Sequence, residues 1–276
     1  MTQKKSPPKR EIKKYYKQIE SESIKNSVEG TTIITKQGYE VRLNKYNDCF
    51  NCELEFLNVK YPYKVTIEYK SFKNKTVQYP YHPTKFNIGF IGVGEYKTSK
   101  NAIDTIEYLY WDGFMRRCYS ERLKNISKSY SDCSVDENWH NFQNFGKWFE
   151  ENYKPKYMKG WCLDKDILFK GNRIYSENNC CFVPNEINVL FTNGYVKRGK
   201  YPKGVSYKSK INRYIAQYQN NGVVTHIGTY KTIEEAFQAY KEVKENYIKQ
   251  KADKWKDLID PRVYQAMYNY EVEITD

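Results

Sequence analysis

"LDKDILFKGNRIYSENNCCFVPNEIN", Leu163–Asn188, is the stretch on which the reading of this chain turns. An apolar step closes on Asp164-Lys165-Asp166, the chain then becomes polar, and a lone Asn188 follows behind Val183-Pro184. That spacing suggests two ligands brought together by a hairpin and a short helix. The question it raises is whether they hold a metal ion.

Upstream, the pattern is helical. "AIDTIEYLYWDGFMRRCYSERL", Ala102–Leu123, places Ile103, Ile106, Tyr110 and Phe114 at helix spacing. "VDENWHNFQNFGKWFEENY", Val135–Tyr153, puts Trp139, Phe142, Phe145, Trp148 and Phe149 on one broad face, expected as core. His140 lies off that face and is expected as a polar surface group. Further upstream, Gly30 to about Lys97 reads with period two: Val65, Ile67 and Tyr69 share one face of "KVTIEYKSF", and Leu54 and Phe56 share one face of "CELEF". A small antiparallel, barrel-like β module is expected there. The glycines of "GFIGVGEY" lack the Lys-Ser/Thr of a phosphate loop and read as a tight turn. Cys49 and Cys52 form a single C-x-x-C without two further nearby ligands, so it is a weak zinc signal.

Downstream of the opening stretch, Phe191 to Tyr201 reads as a Gly- and Lys-rich linker. Beyond it, three short alternating strands are expected, with Asn221-Gly222 as a two-residue hairpin. Thr232-Ile233-Glu234-Glu235 is a capping box. It opens a helix whose stripe of Ile233, Ala236, Phe237, Tyr240, Val243 and Tyr247 is expected to cover one face of the sheet and leave the other free. Between residues 194 and 256 stand fourteen Lys/Arg against five Asp/Glu, so most of the chain's net +13 is concentrated here.

The 276 residues allow two or three small domains. The expected fold class is α+β and multi-domain: a basic arm over 1–29, a β-rich module over 30–98, a central domain over 99–193 and a sheet-plus-helix domain over 194–276. With 28 Tyr in a chain that is 39% hydrophobic, aromatic cores with wet edges are expected. The positive charge makes nucleic acid the first partner and an anionic membrane surface the second. The arm, with Pro7-Pro8 inside a Lys/Arg cluster, is expected to order only on a polyanion or to remain a solvated tail. No apolar run reaches the length of a membrane span, and no signal peptide is read. The expected location is the cytoplasm, with the seven Cys as free thiols.

Two resemblances add to this reading. "GVSYKSKINRYIAQYQNNGVVTHIGTYKTIEEAFQAY", Gly204–Tyr240, resembles the Apetala/ethylene-response-factor type of DNA-binding domain, which also occurs at the C-terminus of phage homing endonucleases of the HNH group. The likeness covers about 50 residues. It implies a three-stranded sheet in the major groove of double-stranded DNA, with Lys208, Lys210, Arg213 and Gln217 on the reading face. The family's usual Trp beside the Arg is Tyr214 here, so base preference does not carry over. Arg213 is expected at a base edge, with a further phosphate contact as the alternative.

"WDGFMRRCY", "NWHNFQNFGKWFEENY" and the opening stretch resemble phage HNH-type endonucleases. That likeness implies a ββα-metal site in which Asp164 is the strand-end ligand, Asn188 the helix ligand, Asn178 or Asn179 the loop-tying residue, and Asp166 an extra carboxylate. The implied cofactor is a divalent metal, Mg²⁺ or Mn²⁺, since oxygen donors suit hard cations. The implied activity is metal-dependent endonuclease cleavage of DNA, a hydrolase reaction, by a monomer. The position expected to hold a His base is Lys165, and an ordinary lysine, with pKa ~10.4, is a poor base at neutral pH. Lys165 therefore reads as a phosphate or transition-state clamp, with water activated by the metal or by a remote His82 or His140. The alternative is a catalytically inactive, HNH-derived regulator or inhibitor, with DNA or a protein as target. Zinc held by Cys118, Cys133, Cys180 and Cys181 is set against their burial as small apolar residues, the preferred reading.

Overall fold

A computed structural model of the chain describes residues 21–126, 130, 132–191, 200–220 and 222–274. The basic arm up to residue 20, most of the linker, and Asn221 of the expected hairpin lie outside the described residues. The fold is α+β, and it divides into two compact units. One spans Met1–Thr84 with Phe90–Val93, the other Lys85–Gly89 with Gly94–Asp276. Among the described residues no helix is long and apolar enough to cross a membrane.

The first unit is built on four antiparallel strands in sequential order: β1 (Thr32–Ile34), β2 (Glu40–Asp48), β3 (Asn51–Phe56) and β4 (Lys64–Ile67). Alternation sends Val41, Leu43, Cys52, Leu54 and Phe56 into one buried face. The other face carries charge, with Arg42 and Lys64 both paired to Glu55 at 2.8 and 3.3 Å. The sheet is an open meander rather than the barrel-like module the pattern suggested. β1 has only three residues and pairs only with β2, so the ends do not meet. Phe72 of the short helix α1 (Tyr69–Lys73), with Val77 and Tyr79, closes the core instead.

In the second unit, Thr105 starts α2 (Ile106–Tyr119) by accepting a hydrogen bond from the Tyr108 N–H. That start point sets the helix phase. Trp111, Phe114, Met115 and Cys118 face the core, whereas Ile103 and Ile106 of the expected stripe are exposed. A short helix, α3 (Glu121–Ile126), follows. Trp139, on a 3-10 turn, and the four aromatic residues Phe142, Phe145, Trp148 and Phe149 of α4 (Phe142–Asn152) are buried as the aromatic pattern required. Gly89 fits beneath α2 because a Cβ there would come within 2.8 Å of Met115 and Trp111. The rest of the unit comprises three short pairs of strands, β5 (Ser99–Lys100) with β6 (Ile103–Asp104), β7 (Ser134–Val135) with β9 (Ile174–Tyr175) and β8 (Cys162–Asp164) with β10 (Cys181–Val183). Helix α5 (Asn185–Phe191) leads to the three-stranded sheet β11 (Val205–Lys208), β12 (Arg213–Asn220) and β13 (Val223–Tyr230), followed by helices α6 (Ile233–Trp255) and α7 (Pro261–Tyr268).

Two tryptophans of this core differ in a way that stability reads directly. Trp111 Nε1 donates to the Trp139 carbonyl at 2.8 Å, while Trp139 Nε1 is buried with no partner among the described residues. Trp111→Phe should cost ~2–4 kcal/mol, the lost volume plus an orphaned carbonyl. Trp139→Phe should cost about 1 kcal/mol less, since the donor it deletes is already unsatisfied. Urea midpoints of the two variants check this, and the reverse order would contradict it.

Candidate functional site

The Leu163–Asn188 stretch folds as a hairpin and a helix. β8 (Cys162–Asp164) pairs antiparallel with β10 (Cys181–Val183), Asp164 facing Cys181, and α5 (Asn185–Phe191) follows directly. The hairpin is anchored by Phe182, which sits among Trp148, Phe149, Tyr153 and Tyr110. Pro184 cannot extend the ladder; its carbonyl accepts from the Ile187 and Asn188 N–H groups and so opens α5.

Asp164 ends its strand by turning the chain. Its Oδ1 accepts from the backbone N–H groups of Asp166 and Ile167, both at 2.8 Å. One oxygen is thereby committed to the loop, and ligand capacity rests on the other. Burial, together with the neighbouring carboxylate of Asp166, pushes its pKa up to about 6. Lys165 is buried, and its ammonium lies 3.1 Å from Asp166 Oδ2 and over the Tyr175 ring.

Asp164, Lys165, Asp166 and Asn188 line one cleft of about 560 Å³, together with Arg117 and Arg173. Asn178 is not brought there. It is exposed and borders a second cavity with Phe169, Pro261 and Arg262, because the turn after Ser176 throws successive side chains apart. The loop is tied by Asn172, whose amide donates to the Lys165 and Ile174 carbonyls at 2.7 and 2.8 Å. Asn179 supports it by donating to Asn172 Oδ1 at 3.1 Å. Asn172 is marked in the sequence only by the Gly171-Asn172 turn, with Gly171 at φ +82°.

The donors fit a hard cation. Two carboxylates near enough for one to raise the other's pKa share the cleft with an amide. Among the described residues no three His, Cys, Asp or Glu side chains gather as an all-protein cage. All seven cysteines are free, and burial pushes the thiols of Cys118, Cys180 and Cys181 up, Cys118 to about 12. Neither His140 nor His226 is among the described residues that line the cleft. His82 bonds Tyr39, His140 bonds the Val135 carbonyl, and His226 is exposed on β13.

α5, the helix that carries Asn188, is held from outside the hairpin. Glu186 accepts from Lys251 at 2.7 Å and from Lys254 and Trp255 at 2.5 Å. Burial alone would raise its pKa, but these three donors outweigh it and hold Glu186 at about 2. At the other end of α5, Lys244 donates to the Leu190 carbonyl at 3.1 Å. Lys244 lies in the buried stripe of α6 where Val243 was expected, and burial lowers its pKa to about 8.

The three-stranded sheet has one face under α6, where Ala216, Tyr218, Phe237 and Tyr240 are buried. The capping box is formed in full: Glu235 N–H donates to Thr232 Oγ1, and the Glu235 carboxylate accepts from the Thr232 N–H. Lys208 stands opposite Arg213 in the ladder, and Gln217, four residues along β12 from Arg213, is exposed. Lys210 lies on the 3-10 turn between β11 and β12, also exposed. No family model, curated protein or solved structure matches this chain.

Proposed function

We propose that this protein is a divalent-metal-dependent, HNH-like endonuclease that binds double-stranded DNA through its C-terminal sheet. The observation that carries the reading is the hairpin-plus-helix that brings Asp164, Asp166 and Asn188 to one cation-lined cleft. Asp164 and Asn188 would hold Mg²⁺ or Mn²⁺, with Asp166 beside them. When bound, such a cation supplies Lewis acidity toward a phosphoryl oxygen and lowers the pKa of water. Asn172 fixes the loop, and Lys165 neutralises Asp166 while presenting positive charge toward the phosphate. The ERF-like sheet would place Lys208, Lys210, Arg213 and Gln217 on the duplex, Arg213 at a base edge and the lysines at phosphates.

A second reading is a catalytically inactive regulator or inhibitor built from the same parts. It draws on the lysine at the base position and on a cleft with no histidine among its described lining residues. Replacement of Lys165 separates the two. Lys165→His should keep or raise Mn²⁺-dependent cleavage of duplex DNA, and Lys165→Ala should lower it ~10-fold or more. A His variant as impaired as the Ala variant would remove this position from water activation and leave it as a clamp. A parent protein that binds duplex DNA and never cuts it, with either metal, favours the regulator.

A further inference from the structure

α2 lies outside the hairpin and helix, yet one of its faces forms a wall of the cleft. Leu109, Gly113 and Arg117, each four residues apart, all line it. Two features of that face go beyond what packing requires. Glycine is the poorest helix former after proline, and Gly113 sits in the middle of a 14-residue helix. A Cβ built there meets no heavy atom within 4 Å, so close packing does not require it. Arg117 is a cation in the cleft with no carboxylate partner among the described residues. Its neighbour Arg116, by contrast, is exposed and pairs with Asp112, as does Lys85.

Arg117 is also held in place. Its Nε donates to Tyr175 OH at 3.1 Å, and its guanidinium carbon lies 5.5 Å from the centre of the same ring. Tyr175 is itself buried and stacked on Phe114 at 5.3 Å. Lys165 Nζ approaches that ring too, at 5.9 Å. Two cations therefore converge on one phenol, and among the described residues only Lys165 of the two has a carboxylate. The two terminal nitrogens of Arg117 make no hydrogen bond among the described residues and present the planar fork that suits a phosphate.

We propose that the Leu109–Gly113–Arg117 face of α2 seats a phosphodiester backbone, Gly113 leaving room for the sugar–phosphate against the helix and Arg117 donating to a phosphate oxygen. This deepens the nuclease reading and rests on it for the identity of the anion. The cleft then has two walls with different work: the hairpin and α5 supply oxygen donors for a cation, and α2 supplies space and a fixed guanidinium for the strand.

The test uses the full chain with Gly113→Ala, Arg117→Lys and Arg117→Met. Each variant is measured for melting temperature, for binding of a mixed-sequence duplex in chelator over a series of salt concentrations, and for cleavage with Mn²⁺. Gly113→Ala should melt about 2–4 °C above the parent and yet cut ~10-fold more slowly. Arg117→Met should flatten the log–log salt dependence by about 0.9 and lower cleavage ~100-fold. Arg117→Lys should recover the salt dependence and not the rate. If Arg117→Met fails to fold, the other two variants decide. A Gly113→Ala protein that binds and cuts like the parent, or an Arg117 variant with unchanged rate and salt dependence, overturns the proposal. Cleavage that survives Asp164→Asn, or a parent that never cuts, defeats the nuclease reading instead; the salt dependence then still decides whether α2 holds a phosphate.

Discussion

Asp164→Asn should abolish cleavage, by ~10³-fold or more, and at the same time make the protein harder to unfold at neutral pH. Both effects come from one carboxylate. Asn retains the oxygen that accepts from the Asp166 and Ile167 N–H groups, so the loop keeps its turn, while the charge that would hold a cation is lost. The sign of the stability change follows from the pKa. Asp164 titrates at about 6 in the folded protein against an ordinary 3.8, so the folded state holds its proton more tightly than the unfolded chain. Ionisation therefore costs stability, fully above the folded pKa and not at all below the unfolded one. In chelator, the Asn variant should gain about 2 kcal/mol near pH 8, and the gain should shrink as pH falls through about 6 toward 4. Thermal melts of the two proteins across that range check it. A variant that melts lower than the parent at pH 8 would contradict the assignment of a strained carboxylate.

The second large effect is expected at a residue that touches no reacting atom. Glu186→Lys places a cation among Lys251, Lys254 and the Trp255 N–H, all of which now converge on a carboxylate. About a third of the Glu186 side chain remains exposed, so water screens part of the interaction. The expected loss is about 2 kcal/mol, with cleavage reduced ~10–100-fold because α5 also carries Asn188. Glu186→Gln, which keeps an acceptor oxygen, should lose about half as much stability. The depressed pKa gives the pH signature. The stabilisation is present above 4.5 and is lost as pH falls through about 2, so parent and Gln variant should converge in acid. Urea unfolding at a series of pH values reads this. A Glu186→Lys protein as stable and active as the parent would show that the clasp does not position the helix.

Local signals in the sequence were clear where one segment carries the whole pattern. The Thr232–Glu235 capping box, the aromatic face through Trp139 and Phe149, and the alternation of β3 need no partner from elsewhere to be read. That Asp164 and Asn188 come to one cleft was also legible, because a strand end, its paired strand and a Pro184-started helix are read from one stretch of sequence. What was not legible depends on distant partners. Lys244 reads as a solvated residue until Leu190, 54 positions away, supplies a carbonyl and Tyr218 a ring. The Glu186 clasp joins residues more than 60 positions apart, so the central and C-terminal stretches, read as separate domains, meet along α5 and α6. Arg117 looks like any helix cation in "MRRCY" until the phase set by Thr105 turns it into the cleft and Arg116 out to Asp112. Asn172 and Asn178 are alike as letters, and only the path of the loop decides which one ties it.

The most direct measurement is the fate of supercoiled and linear duplex DNA incubated with the full chain and Mg²⁺ or Mn²⁺, beside reactions containing chelator and beside Asp164→Asn. The expected result is nicked or linearised product that depends on the metal and disappears both with chelator and with the variant. Intact DNA under every metal condition, or equal cleavage by the parent and Asp164→Asn, would contradict it.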